Sequence, residues 1–61
     1  LSVDNVTEEQ LKDAFYAGYD SYGGIGGGGP GLDANPYSTS DSEILLWQAF
    51  KDGYYAAAWD D

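Results

Sequence analysis

The sequence has no cysteine, no histidine and no methionine, and its only basic residues are Lys12 and Lys51. Without cysteine there is neither a disulfide nor a thiolate site. Without histidine the commonest general base and the commonest transition-metal ligand are also gone. With two lysines against eleven Asp and Glu, the formal charge is −9. Direct binding to DNA, RNA or anionic lipid is disfavoured, because those contacts depend on Lys and Arg neutralising phosphates. No apolar run approaches the ~20 residues needed to span a bilayer. No basic-then-apolar leader is present either. A cytoplasmic protein of a bacterium or an infected host cell is therefore expected. Leu1 is not an initiator residue, so a missing or removed native start is expected.

What the chain does have is aromatic surface: six tyrosines, two tryptophans and two phenylalanines in 61 residues. A domain this small buries only about 60% of the surface its unfolded chain exposes. Aromatic rings, which bury much area per residue, must supply its core. A single domain over 1–61 follows, either tightly packed or completed by another molecule, with self-association left open.

Residues 7–22 read as a helix. Thr7 and Gln10 have capping-box spacing, Val6 and Leu11 can form a hydrophobic staple, and Glu8 and Glu9 favour the first turn. Leu11, Phe15, Gly18, Tyr19 and Tyr22 recur at helical spacing. A second helix is predicted over 41–59, with Ser40 and Glu43 at capping-box spacing and a stripe of Leu46, Ala49, Phe50, Gly53, Tyr54 and Ala57.

The two helices carry the same word. Leu11-x-x-Ala14-Phe15-x-x-Gly18-Tyr19 matches Leu46-x-x-Ala49-Phe50-x-x-Gly53-Tyr54 at one fixed offset. A mid-helix glycine costs about 1 kcal/mol against alanine, so its repetition points to close helix packing, at an axis separation near 8 Å. The expected fold is all-α, a pseudo-symmetric antiparallel two-helix hairpin. Its connection comprises a Gly-rich loop over 23–31, with no side chains to pack and expected to be mobile, and an Asn-Pro-Tyr turn over 32–39. In that turn Pro36 holds Asn35 extended and Tyr37 folds back as an anchor.

Three catalytic or ligand motifs fail on inspection. Gly24-x-Gly26-x-x-Gly29 has the letters of a dinucleotide fingerprint, but no strand precedes it and no helix opens at its end. Asp33, Asn35, Thr39, Asp41 and Glu43 cluster oxygens. Yet Ser38 stands where a calcium loop needs glycine, and Ile44 where it needs glutamate. Two helices and a loop offer little concavity to desolvate a carboxyl group and raise its pKa. No cofactor, no metal and no enzymatic activity are expected.

The acidic residues are patterned. At 100° per residue, Glu9, Asp13, Tyr16 and Asp20 form one stripe on the first helix. Asp41, Gln48, Asp52 and Tyr55 form another on the second, and Asp60 and Asp61 add charge at its end. Carboxylates interleaved with tyrosines share charge and hydrogen-bonding type with a nucleic acid. The bland account is a solvated face that keeps an aromatic-rich protein soluble. The expected partner surface is Glu9, Asp13, Tyr16, Asp20, Asp52, Tyr55, Asp60 and Asp61, and the expected partner is basic. The leading expectation is a phage or bacterial inhibitor acting as a DNA mimic on the nucleic-acid-binding surface of a host topoisomerase, polymerase or nuclease.

Ala14-Phe15-Tyr16-Ala17-Gly18-Tyr19, then Asn35-Pro36-Tyr37, then Trp47-Gln48-Ala49-Phe50-Lys51-Asp52-Gly53 resembles the ribosome modulation factor family over about three-quarters of the chain. The resemblance implies a helical hairpin in which Pro36, Tyr37 and Trp47 are core and turn elements. It also implies a second role, that of a ribosome-associated factor in translation regulation, docking on basic ribosomal proteins. The family's better-known members are basic ribosome-binding proteins. This chain differs in being acidic and in carrying the glycine tract before Asn35.

Overall fold

The computed structural model describes residues 6–24 and 26–60. Among them the order is α1 (Glu8–Ser21), a 3₁₀ turn (Gly31–Ala34) and α2 (Ile44–Asp60), with no strand. The all-helical class and the two helices agree with the sequence.

α1 starts where its local chemistry dictates. The Gln10 N–H donates to Thr7 Oγ1 at 3.1 Å, and the Gln10 side-chain oxygen accepts from the Thr7 N–H at 2.9 Å. The reciprocal pair satisfies two donors that a helix start otherwise leaves orphaned. α2 starts differently. The Ser40–Glu43 capping box is not formed, and residues 41–43 make a turn instead. Glu43 reaches back to accept from the Ser38 N–H at 2.9 Å, while Ser40 Oγ pairs with Ser38 and Ser42. Helical hydrogen bonding then begins with Trp47 N–H on the Glu43 carbonyl at 2.9 Å.

The core is small and sits between the helices. Ala14, Gly18 and Ser21 are the buried residues of α1, and Phe50, Gly53 and Ala57 those of α2. The repeated word is used as its spacing suggests. A Cβ on Gly18 would overlap the Phe50 carbonyl, and one on Gly53 would overlap the Phe15 carbonyl. Each glycine thus rests on the backbone of its partner helix, at equivalent places in the repeat. Ser21 is a polar member of this core that hydrophobic patterning does not reveal. Its hydroxyl donates to the Gly18 carbonyl at 2.7 Å, so its burial leaves nothing unpaired.

The sense of the pair corrects the antiparallel expectation. The end of α1 lies beside the end of α2: Gly23 and Gly24 share one cleft with Ala57 and Asp60. Tyr19 hydrogen-bonds Asp60, and the Tyr22 ring stacks edge-on against Tyr54. An antiparallel pair crossing at Gly18 and Gly53 would hold Gly24 and Asp60 about 20 Å apart along the axis. Both helices instead leave the crossing on the same side. The chain returns between them past Tyr54, which Gly31 approaches, and past Trp47, whose carbonyl accepts from Asn35 Nδ2 at 3.2 Å. Asn35 Oδ1 also accepts from the Tyr37 N–H at 3.0 Å, fixing the Asn-Pro-Tyr turn against α2. Tyr37 and Trp47 are half-buried there, and Pro36 is exposed.

The glycine tract is closed by hydrogen bonds. Gly29 N–H donates to the Tyr22 carbonyl and Gly27 N–H to that of Gly24, both at 3.0 Å. Gly23 has φ +88°, a region side chains rarely adopt, and no Cβ fits on Gly29 beside the Ser21 carbonyl. Gly28 has open space around it and no such backbone constraint. Gly29→Ala is therefore expected to destabilise the fold by about 1–3 kcal/mol, whereas Gly28→Ala should leave the melting temperature within error. Thermal melts of the two variants, followed by circular dichroism, make the comparison.

Candidate functional site

The packed faces decide where the acidic stripes point. On α1, Glu9, Asp13, Tyr16 and Asp20 lie opposite the buried line of Ala14, Gly18 and Ser21, and all four are exposed. Tyr16 is 58% exposed and holds an edge-on contact with Phe15 at 5.9 Å between ring centres. The half-buried Phe15 thus braces a ring that stands among carboxylates. Three carboxylates and one braced phenol therefore share one helical face.

On α2, Asp52 and Tyr55 are likewise exposed and lie opposite Gly53 and Phe50. Because the two buried lines pack on each other, the two outer stripes face away from one another. They do not form one continuous surface. The outer face of α2 is also less purely acidic. Trp59, one helical turn after Tyr55, is 89% exposed, and Lys51 Nζ sits 4.7 Å from the centre of the Trp47 ring. That cation–π contact places one of only two basic groups on the helix that carries the second stripe.

Asp60 belongs to neither stripe. It turns inward across the gap between the helix ends, where its Oδ2 accepts from the Tyr19 hydroxyl at 2.8 Å. Asp61 lies outside the described residues. Of the eight sequence-predicted positions, the structure thus brings Glu9, Asp13, Tyr16 and Asp20 together, sets Asp52 and Tyr55 on the far face, and gives Asp60 a structural partner.

Beside that pair lies a cleft of ≈ 380 Å³ between the helix ends, lined by Tyr19, Asp20, Tyr22, Ala57 and Asp60 with the start of the glycine tract. Sequence reasoning missed it, since its two walls meet only in the same-sense pairing. Hydrogen bonding to Asp60 and the charge of that carboxylate raise the Tyr19 hydroxyl above the ordinary 10.0. A group with a raised folded pKa contributes stability that is complete below its unfolded pKa and is lost as pH rises through the folded one. The fold should therefore weaken above about pH 10. In Tyr19→Phe this component of the alkaline loss should vanish, which paired melts at pH 8 and pH 11 would measure.

Among the described residues no group of three or more acidic side chains could hold a metal ion, and no helix is long and apolar enough to cross a membrane. No protein-family model matches the chain, and no curated protein or solved structure matches it either.

Proposed function

We propose that the protein is an acidic binding protein that occupies the basic nucleic-acid-binding surface of a partner enzyme, through the outer face of α1. The observation that carries this reading is the exposed group Glu9, Asp13, Tyr16 and Asp20 on one helical face, in a chain of charge −9. Carboxylates one to two turns apart offer a partner a row of negative charge, and Tyr16 offers a rigid anchor of low conformational entropy. A charge of this size also speeds encounter with basic surfaces. Partners of this chemistry include topoisomerases, polymerases and nucleases, for which an inhibitor acting as a nucleic-acid mimic is the corresponding activity. A cytoplasmic setting goes with that reading.

The test is capture from nuclease-treated bacterial lysate on the immobilised protein at low and at high salt. Nucleic-acid-processing enzymes should be retained at low salt, released at high salt, and displaced by added duplex DNA. Retention of ribosomal proteins instead would assign the chain a ribosome-associated role. A partner that binds the protein and DNA at once would reject mimicry.

A further inference from the structure

The cleft between the helix ends has a composition that the acidic outer faces do not share. Tyr19 and Tyr22 line it together with Ala57, and the carboxylates of Asp20 and Asp60 stand at its edge. It is also where both helices terminate. A helix C-terminus carries a partial negative charge, normally offset by Lys or Arg in the last turn. Neither α1 nor α2 has a basic residue in its last turn. Two helix ends and two carboxylates therefore direct negative potential into one concavity. Converging the ends this way requires the same-sense packing of the helices, so the potential is a product of the fold and not of composition alone.

Such a site excludes anions, and its walls favour one kind of cation. A small hard ion needs several oxygen ligands at short range, and no group of three or more acidic side chains suited to a metal occurs among the described residues. Aromatic rings and an alanine methyl suit a cation with an apolar body. Alkylammonium groups combine both properties, and tyrosine rings beside carboxylates are a recurring way of holding them. Asp60 is already oriented by the Tyr19 hydroxyl, which uses one oxygen and leaves the carboxylate further capacity to accept. Gly23 and Gly24, both at positive φ, bring the chain round the mouth without side chains that would narrow it.

We propose that this cleft binds an organic ammonium group, either a lysine side chain presented by a protein or a free alkylamine. The site meets the α1 face only at Asp20, which lines the edge of both, and is otherwise built from Tyr19, Tyr22, Ala57 and Asp60; the proposal does not depend on the partner proposed above. The 61-residue chain, ¹⁵N-labelled, is titrated in moderate salt with four probes: N-acetyl-lysine methylamide, its trimethylated form, spermidine, and neutral N-acetyl-norleucine methylamide. Saturable amide shifts at Tyr19, Tyr22, Gly23, Gly24 and Ala57 are expected with the cations and none with norleucine. Tighter binding of either lysine form points to a side chain as the source, and of spermidine to a free amine. Asp60→Asn should weaken the interaction about tenfold, the effect of removing a charged partner, while the circular dichroism spectrum stays unchanged. Asp41→Asn, which removes the same charge from a remote position, should leave it intact. Equal shifts with norleucine would overturn the proposal. So would cation shifts spread over the outer carboxylates with no saturable set at the cleft, or undiminished affinity in a folded Asp60→Asn.

Discussion

Replacing Gly18 or Gly53 with alanine is expected to lower the melting temperature sharply, and leucine at either position to abolish the cooperative fold. The added Cβ at Gly18 would lie inside the contact distance of the Phe50 carbonyl, and that at Gly53 inside the contact distance of Phe15's. The obstructing atoms are backbone, so no rotamer change relieves them. The helices must separate, and Ala14, Phe50 and Ala57, the buried apolar core, lose contact together. Overpacking costs about 1–3 kcal/mol, against roughly 1 kcal/mol regained from alanine's helix propensity. A chain of this length commands only about 3–9 kcal/mol in total. Each kcal/mol of net loss should appear as about 4–8 °C. Because the two contacts are reciprocal, a helix pair pushed apart by one alanine already accommodates the other. The double variant should therefore lose less than the two singles combined, as residues sharing one contact are not additive. Full additivity, or melting temperatures unchanged in the singles, would remove the glycine crossing from the account of the fold.

The second large effect concerns the partner. Neutralising Glu9, Asp13 and Asp20 together as Gln, Asn and Asn should weaken capture of the basic partner about 3- to 150-fold. This follows from roughly 0.2–1 kcal/mol per exposed ion pair. Affinity of the parent protein should fall steeply with salt, and the triple variant's less so, since exposed charges are screened over about 8–10 Å near physiological ionic strength. Tyr16→Ala should cost a further 1–2 kcal/mol or so as an anchor in the patch. The division of the stripes adds a sharper criterion. Asp52→Asn and Tyr55→Ala lie on the opposite face, so a partner seated on α1 should ignore them. Equal sensitivity on both faces would instead mean a partner that encloses the whole rod. Indifference to all of these changes would dissociate the acidic surface from binding.

These particulars show what could be read from the amino acids. The start of α1 was legible because Thr7 and Gln10 satisfy each other within one turn. The glycine crossing was legible because the same word occurs twice. The helix sense was not, for a physical reason. Small residues one turn apart permit close approach in either direction, and only distant groups such as Tyr19 and Asp60 distinguish them. The same limit hid the cleft. Glu43 was misassigned because two acceptor roles competed for it, and the Ser38 amide prevailed over the cap. Ser21 escaped notice because its partner, the Gly18 carbonyl, lies on its own helix. The exposure of Glu9, Asp13, Tyr16 and Asp20 followed directly from periodicity. Their separation from Asp52 and Tyr55 required knowing which faces meet.

The same-sense pairing sets a minimum length for the connection between the helices. Ser21 stands past the crossing and Ile44 well before it, so the chain must travel back about 18 Å along the axis. At most ~3.3–3.6 Å per residue is available, and at least about six residues are needed before any allowance for turning. The stretch from Pro30 to Glu43 meets this with slack, leaving the glycine tract surplus to the span. A connection trimmed below that limit could no longer fold back on itself. Since the crossing surfaces would survive intact, α1 of one molecule would then seat on α2 of another, and the trimmed chain would form a domain-swapped dimer.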